Sequence, residues 1–149
     1  MKTIIGIDPG KKGGIAWIAD GKPCVEKMPD TVKDLWELLL DITEISKRYV
    51  APEDCKAYIE AVSSSPQMGV VSAFTFGQGL GRLEMALTAA GIPFERVRPQ
   101  LWQKEMKCMS KGDKNVTKAK AQELFPSMQV THATADALLI AEYGRRVES

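Results

Sequence analysis

The feature that most constrains this chain is an acidic residue that ends an apolar run near the N-terminus. The run over residues 3–7 (TIIGI) ends at Asp8, and Pro9 and Gly10 follow at once. Pro fixes its own φ and Gly relaxes the steric limits of the backbone, so the chain is expected to turn where the apolar strand ends. The sequence therefore predicts a carboxylate presented at the end of a buried strand.

The turn after Asp8 is rich in glycine and positive charge. Lys11 and Lys12 precede a second apolar run over residues 13–19, and two such runs around a glycine-rich turn predict a hairpin. A basic turn of this kind suits a phosphate or a metal-bound phosphate, so both lysines are candidate nucleic-acid contacts. The alternative is a structural hairpin with a solvated Asp8.

Length and composition favour one compact domain over residues 1–149. The chain is 44% hydrophobic, which is enough for a core without a metal or disulfide. No window approaches the roughly 18 apolar residues of a membrane helix, and the N-terminus lacks a signal-peptide pattern. Three cysteines without C-x-x-C spacing indicate neither a disulfide framework nor a zinc site. We expect a soluble, cytoplasmic protein without a membrane partner or an organic cofactor.

The net charge of +1 hides a basic segment. Residues 96–120 carry eight basic and two acidic side chains, a net charge of +6, whereas the rest of the chain sums to −5. Phosphate contacts provide most of the sequence-independent affinity for nucleic acid, so this segment predicts a bound polyanion. The candidate contacts are Lys104, Lys111, Lys114 and Lys118. The alternative is a solvated loop and helix face.

The order of the predicted elements indicates an α/β fold. A third strand is expected over residues 22–28, and Asp30 or Thr31 begins a helix whose apolar face runs to Tyr49, with Pro52 ending the connection. Strands over 56–62 and 94–97 alternate with a helix over 70–90, and helices over 101–106, 115–125 and 133–146 follow. This order predicts a mixed five-stranded sheet with an antiparallel hairpin start and parallel additions, flanked by helices.

Two further carboxylates stand in apolar surroundings. Glu60 interrupts a predicted buried strand, and Asp136 lies among small apolar residues of the last helix. Burying such charges is costly without a partner, so Asp8, Glu60 and Asp136 together predict a shared site for Mg²⁺ or Mn²⁺. Two such ions can hydrolyse a phosphodiester without a protein nucleophile.

Each of these residues also has a structural alternative. Glu60 can cap a neighbouring helix, and Asp136 can favour its own helix N-terminus. His132 precedes Asp136 by four residues and would share its helix face, which makes it a candidate ligand or proton-transfer group. Otherwise it is a polar residue at a helix start, where Thr131 and Thr134 are competing caps.

Four segments follow one another in a specific order: GIDPG at 6–10, Ile59-Glu60, SAFTFGQGLG at 72–81 and Asp136-Ala137-Leu138. In this order and spacing the chain resembles the RuvC-type Holliday-junction resolvases of the RNase H-like superfamily, including their shorter phage and bacterial relatives. The resemblance implies an RNase H-like fold and two Mg²⁺ ions held by Asp8, Glu60 and Asp136. The family's fourth ligand falls at Ala133, with His132 one residue earlier.

The resemblance also implies an activity and an assembly. It points to a homodimeric endonuclease that resolves four-way DNA junctions by paired cuts, in the cytoplasm of a bacterium or a phage-infected host. The family's junction wedge, an aromatic residue soon after the central Glu, is replaced here by serines and Met68. In the family the helix that corresponds to residues 70–90 approaches DNA or the partner closely.

Three other functions stay open at the level of sequence. One is an RNase H-like nuclease for other branched DNA or structured RNA. A second takes GIDPG as the phosphate loop of an actin-like ATPase or sugar kinase, although 149 residues leave room for only one of the two domains needed. A third is a non-catalytic DNA-binding module, against which the carboxylates count because they would repel phosphates without a metal.

Overall fold

The computed structural model describes residues 2–49 and 55–149. Pro52 lies outside these residues, as do the side chains of Ile45 and Tyr49. The elements in chain order are β1 (Thr3–Asp8), β2 (Gly14–Ala19), β3 (Lys22–Lys27), α1 (Val32–Tyr49), β4 (Cys55–Glu60), α2 (Val70–Ala89), β5 (Phe94–Val97), α3 (Pro99–Glu105), α4 (Lys114–Leu124) and α5 (His132–Glu148). None of the helices in this part of the chain is both long and apolar enough to cross a membrane.

The sheet has the strand order β3-β2-β1-β4-β5, with β1 at its centre. Strands β1, β2 and β3 are antiparallel neighbours, whereas β1, β4 and β5 pair in parallel. The predicted mixed sheet with a hairpin start and parallel additions is therefore confirmed. Because parallel neighbours end at the same edge, Asp8 and Glu60, the last residues of β1 and β4, lie at one edge of the sheet.

Helices cover both faces of the sheet. On one face α1 and α2 pack against Ile5, Ile7 and Ile15, and on the other α5 packs against Ile4, Ala16 and Tyr58. Strands β1 and β2 are buried along their whole length. The central carboxylate of Asp8 therefore extends from a strand that has no solvent-facing side.

Helix α5 crosses β1 at the distance of bare backbone. A Cβ at Gly6 would lie 2.2 Å from the carbonyl oxygen of Ala137 and 2.3 Å from the nitrogen of Ala141. At Gly14, a Cβ would lie 2.6 Å from the carbonyl oxygen of Ala133. The small residues of α5 thus pack on the glycines of the hairpin, and this contact places the helix beside Asp8.

The other end of α5 is held by its last residue, Glu148. The Glu148 carboxylate accepts hydrogen bonds from Lys2, Lys56 and Tyr58, at 2.7, 2.9 and 2.5 Å. Hydrogen bonds from Lys2, then Tyr58 and Lys56, lower the pKa of Glu148 to about 2. These contacts tie the end of the helix to the far ends of β1 and β4, so α5 is oriented at both ends.

The predicted apolar face of α1 is only partly correct, and the apolar residues of α2 divide between the core and the surface. In α1, Leu35, Leu39 and Ile42 are buried, but Trp36 is 42% exposed. In α2, Leu83 and Leu87 are buried in the core, whereas Phe74 is 71% exposed. The buried residues of α2, Leu83, Ala86 and Leu87, all lie in its second half.

The close crossing at Gly6 can be tested by substitution. Gly6→Ala should lower the free energy of unfolding by about 3 kcal/mol or more, because backbone on both sides leaves the methyl group no room. Denaturant unfolding measures this loss. As a control, Gly81→Ala on α2, whose added Cβ would meet no described atom within 4 Å, should raise stability by about 0.5–1 kcal/mol. Equal effects of the two changes would contradict the packing of α5 on β1.

Candidate active site

Three carboxylates from distant parts of the chain approach one another at the carboxyl edge of the sheet. Asp8 ends β1, Glu60 ends β4, and Asp136 lies in the second turn of α5. Asp8 and Asp136 are 7% and 4% exposed, and Glu60 is half-buried. The strand ends and the crossing of α5 over β1 explain why these residues meet.

Lys114 joins two of these carboxylates. It is the first residue of α4, whose start is capped by the Asp113 carboxylate accepting from the Asn115 amide at 2.9 Å. The Lys114 ammonium lies 2.8 Å from Oδ2 of Asp136 and 3.8 Å from Oδ2 of Asp8. Sequence reasoning places Lys114 on DNA phosphates, and the structure brings it to the carboxylates.

Trp102 orients the third carboxylate. Its indole Nε1 donates a hydrogen bond to Oε2 of Glu60 at 3.0 Å, and its side chain, which belongs to α3, is fully buried. Sequence reasoning missed this residue. The available signal is that a buried Trp usually finds an acceptor for its N–H, which favours a carboxylate at a neighbouring strand end.

Burial and mutual repulsion shift the proton affinities of these groups. Burial raises the pKa of Asp8 to about 7; the Lys114 charge opposes this rise, and the Asp136 and Glu60 charges add to it. Burial also raises the pKa of Glu60, with Asp136 contributing in the same direction. For Lys114, burial lowers the pKa. The hydrogen bond to Asp136 and the surrounding negative charges raise it by more than burial lowers it, so the net shift of the pKa is upward.

A cleft of about 480 Å³ opens beside the carboxylates. Glu60, Asp136 and Lys114 line it, together with residues of the α3–α4 region that include Gln103 and Lys111. A larger cleft, of about 650 Å³, lies between the hairpin turn, the start of α1 and the first half of α2. We place the candidate active site in the smaller cleft, because the larger one holds a single acidic side chain, Asp30.

The other predicted site residues are spread more widely. Lys11 lines the larger cleft, while Lys12 and Lys104 are exposed outside both clefts and Lys118 is half-buried on α4. His132 is the exposed first residue of α5 and does not line the cleft that holds Asp136. Beside it, Thr134 Oγ1 accepts from the Thr131 amide at 3.3 Å, as the predicted cap requires.

The donor chemistry of the site fits Mg²⁺ or Mn²⁺. Its candidate ligands are carboxylate oxygens, and Oδ1 of Asp136 is buried with no hydrogen-bond partner among the described residues. Within residues 2–49 and 55–149, no three Asp, Glu, His or Cys side chains are gathered tightly enough to hold an ion as they stand. The positive charge beside Asp8 and Asp136 is instead the Lys114 ammonium.

Comparison with known proteins identifies the fold. No family model and no curated protein matches the sequence. Among solved structures, the chain is similar to RuvC from Thermus thermophilus in complex with a Holliday junction substrate, with 20% identity, a TM-score of 0.65, and coverage of 99% of this chain and 96% of that one. A second T. thermophilus RuvC structure matches with 20% identity, a TM-score of 0.67, and 98% and 96% coverage.

The chain therefore has a RuvC-type fold, and the predicted RNase H-like arrangement of a mixed five-stranded sheet between helices is confirmed. At 20% identity the likeness defines the fold alone.

The raised pKa of Asp8 predicts a pH dependence of stability. Its pKa is about 7 in the folded chain against an ordinary 3.8, so the folded state keeps a proton that the unfolded state releases. The stabilisation is complete below about pH 4 and is lost as the pH rises through about 7. Asp8→Asn stays neutral, so it should flatten this part of the curve in thermal unfolding with EDTA.

Asp41→Asn, which changes an exposed carboxylate on α1, serves as the control and should keep the parent pH profile. An unchanged profile for Asp8→Asn would mean that the Asp8 carboxylate is ionised at all these pH values in the folded protein.

Proposed function

We propose that this protein is a metal-dependent, structure-selective DNA endonuclease that resolves Holliday junctions by paired phosphodiester hydrolysis. The observation that carries the proposal is the approach of Asp8, Glu60 and Asp136 to one another at one sheet edge, where the Lys114 ammonium pairs with Asp8 and Asp136. The RuvC-type fold supports it, since one of the similar structures holds a Holliday junction substrate.

In this proposal Asp8, Glu60 and Asp136 hold two Mg²⁺ ions, with Mn²⁺ able to replace them. When bound, such a pair activates a water molecule and stabilises the leaving oxygen of a phosphodiester. Trp102 keeps Glu60 directed toward the cleft through its indole N–H. The buried positions of Asp8 and Asp136 limit competition from bulk water for their oxygens.

The basic segment supplies DNA contacts in this proposal. Lys111 and Lys114 line the catalytic cleft, and Lys104 and Lys118 flank it along α3 and α4. Lys11 and Lys12 lie on the hairpin turn directly after Asp8. His132, the exposed first residue of α5, is the candidate for proton transfer.

The catalytic assignment is tested by neutralising each carboxylate. Asp8→Asn, Glu60→Gln and Asp136→Asn should each lower cleavage of a labelled four-way junction by about a hundredfold or more, because each removes a metal ligand. Junction binding should persist, since no phosphate contact is lost. His132→Ala should give a smaller decrease.

Glu105→Gln is the matched control, because it removes an exposed carboxylate at the end of α3 outside the cleft. Its cleavage rate should stay within about twofold of the parent chain. Near-normal cleavage by any of the three carboxylate variants would remove that residue from the site. Preference for duplex, flap or RNA–DNA hybrid over junction would favour the alternative RNase H-like nuclease.

We further propose that the active form is a homodimer. A four-way junction has two-fold symmetry, so paired cuts are made most simply by a C₂ dimer with one acidic set in each chain. Leu83 and Leu87 are in the core and cannot join such a contact, but Phe74, Val71 and Met85 are exposed on α2.

The assembly is tested with a supercoiled plasmid that extrudes a cruciform, alongside light scattering of the same protein solution. A dimer should deliver both nicks within one bound complex and yield linear DNA directly. Phe74→Asp should shift the scattering mass toward a monomer and make nicked circles accumulate first. A parent protein that is monomeric on the junction and produces nicked circles first would instead support a single-nick nuclease.

A further inference from the structure

The ammonium of Lys114 lies beside two carboxylates of the candidate active site. It contacts Oδ2 of Asp136 at 2.8 Å and lies 3.8 Å from Oδ2 of Asp8. We propose that Lys114 is an exchangeable internal cation, which pairs with these carboxylates in the metal-free protein and moves to a DNA phosphate when a divalent ion binds. This inference rests on the proposed function and concerns the regulation of the same site.

The buried carboxylates of Asp8 and Asp136 need a cation beside them. Asp8 and Asp136 have only 10% and 6% of their side chains exposed, so water cannot screen their repulsion effectively. Lys114 is the group that forms ion pairs with both of them. Without it, two buried carboxylates would lie close together with no positive charge between them.

Lys114 is free to leave its two carboxylate partners. Its side chain is 56% exposed and belongs to the first residue of α4, so its long stem can turn toward the open cleft without disturbing a packed core. By contrast, Arg145 is held to Glu142 by two hydrogen bonds in a fork. A single point contact such as that of Lys114 is the easier one to exchange.

The Lys114 ammonium and a divalent ion compete for the same carboxylate oxygens. Oδ2 of Asp136 is taken by Lys114, whereas Oδ1 is buried and has no partner among the described residues. An ion that uses both Asp8 and Asp136 must displace the ammonium from between them. The displaced charge then stands in a cleft lined by Lys111, where a phosphate would bind.

This competition affects metal binding differently in the absence and in the presence of DNA. In the absence of DNA, Lys114 weakens metal binding because the ion must replace it. In the presence of DNA, a phosphate offers the ammonium a second partner, so DNA and metal should each strengthen the binding of the other by the same factor. The exchange thus keeps metal binding weak in the DNA-free enzyme and strengthens it once DNA is bound.

Metal affinity of the DNA-free protein tests the exchange directly. In calorimetric titration with Mn²⁺, Lys114→Ala should bind about tenfold more tightly than the parent chain, which corresponds to about 1.4 kcal/mol. Lys111→Ala is the matched control, because it removes the same charge from the same cleft without an ion pair to a carboxylate among the described contacts. Its Mn²⁺ affinity should stay within about twofold of the parent.

Stability provides a second readout. In EDTA, Lys114→Ala should unfold at a lower temperature than the parent, and Mn²⁺ should raise its unfolding temperature by more than it raises that of the parent. If Lys114→Ala does not fold in EDTA, Lys114→Gln keeps a donor for Asp136 without the charge and carries the same expectation for Mn²⁺. Equal or weaker Mn²⁺ affinity in the folded variants would overturn the proposal.

The move to DNA is tested by the salt dependence of junction binding. With Ca²⁺ present as a divalent probe, Lys114→Ala should reduce the log–log salt slope by about 0.9, the value of one phosphate contact on a duplex arm. In EDTA the same variant should leave the slope unchanged. Lys118→Ala, one turn further along α4, should have the same effect in both conditions; a Lys114 effect that is equally independent of Ca²⁺ would overturn the exchange.

The failure of this inference is distinguishable from failure of the proposed function. Tighter Mn²⁺ binding by Lys114→Ala in a protein that does not cut junctions would keep the exchange and reject the resolvase. Efficient junction cleavage with unchanged Mn²⁺ affinity would keep the resolvase and reject the exchange.

Discussion

Helix α5 reaches the carboxylate edge of the sheet only because the central strand carries a glycine where the helix crosses it. The backbone of Ala137 and Ala141 fills the space that any side chain at Gly6 would need. Asp136, next to that crossing, is thereby brought to the end of β1, where Asp8 stands. The remaining features of the site depend on this contact, since a helix packed farther from the sheet would leave the two carboxylates apart.

Bringing the carboxylates together creates repulsion between their negative charges. Two different kinds of neighbouring side chain stabilise them. Glu60 receives the indole N–H of Trp102, a fixed and fully buried donor. Asp8 and Asp136 receive a charge on a flexible and half-exposed stem, that of Lys114. A rigid neutral donor orients a ligand permanently, whereas a flexible cation is suited to be replaced. This difference underlies the proposed exchange between Lys114 and a divalent ion.

Much of the fold follows from local patterns in the sequence. Strand β5 has the predicted bounds, β3 and α2 differ from prediction by one residue at one end, and α4 differs by one residue at each end, because Gly, Pro and apolar periodicity act over a few neighbouring residues. Patterns failed where burial depends on distant elements. Trp36 fits the apolar face of α1 but is 42% exposed.

The sequence by itself determined which residues carry unusual charge: Asp8 before a Pro-Gly turn, and Glu60 and Asp136 in apolar runs, because an unpaired charge in such a run is costly wherever the chain folds. Only the tertiary structure decided how those charges are paired. Lys114 is 22 residues from Asp136, and Trp102 is 42 residues from Glu60, so no spacing rule connects them. Their contacts arise from helices that the sheet and the Gly6 crossing position, and local sequence does not encode that long-range packing.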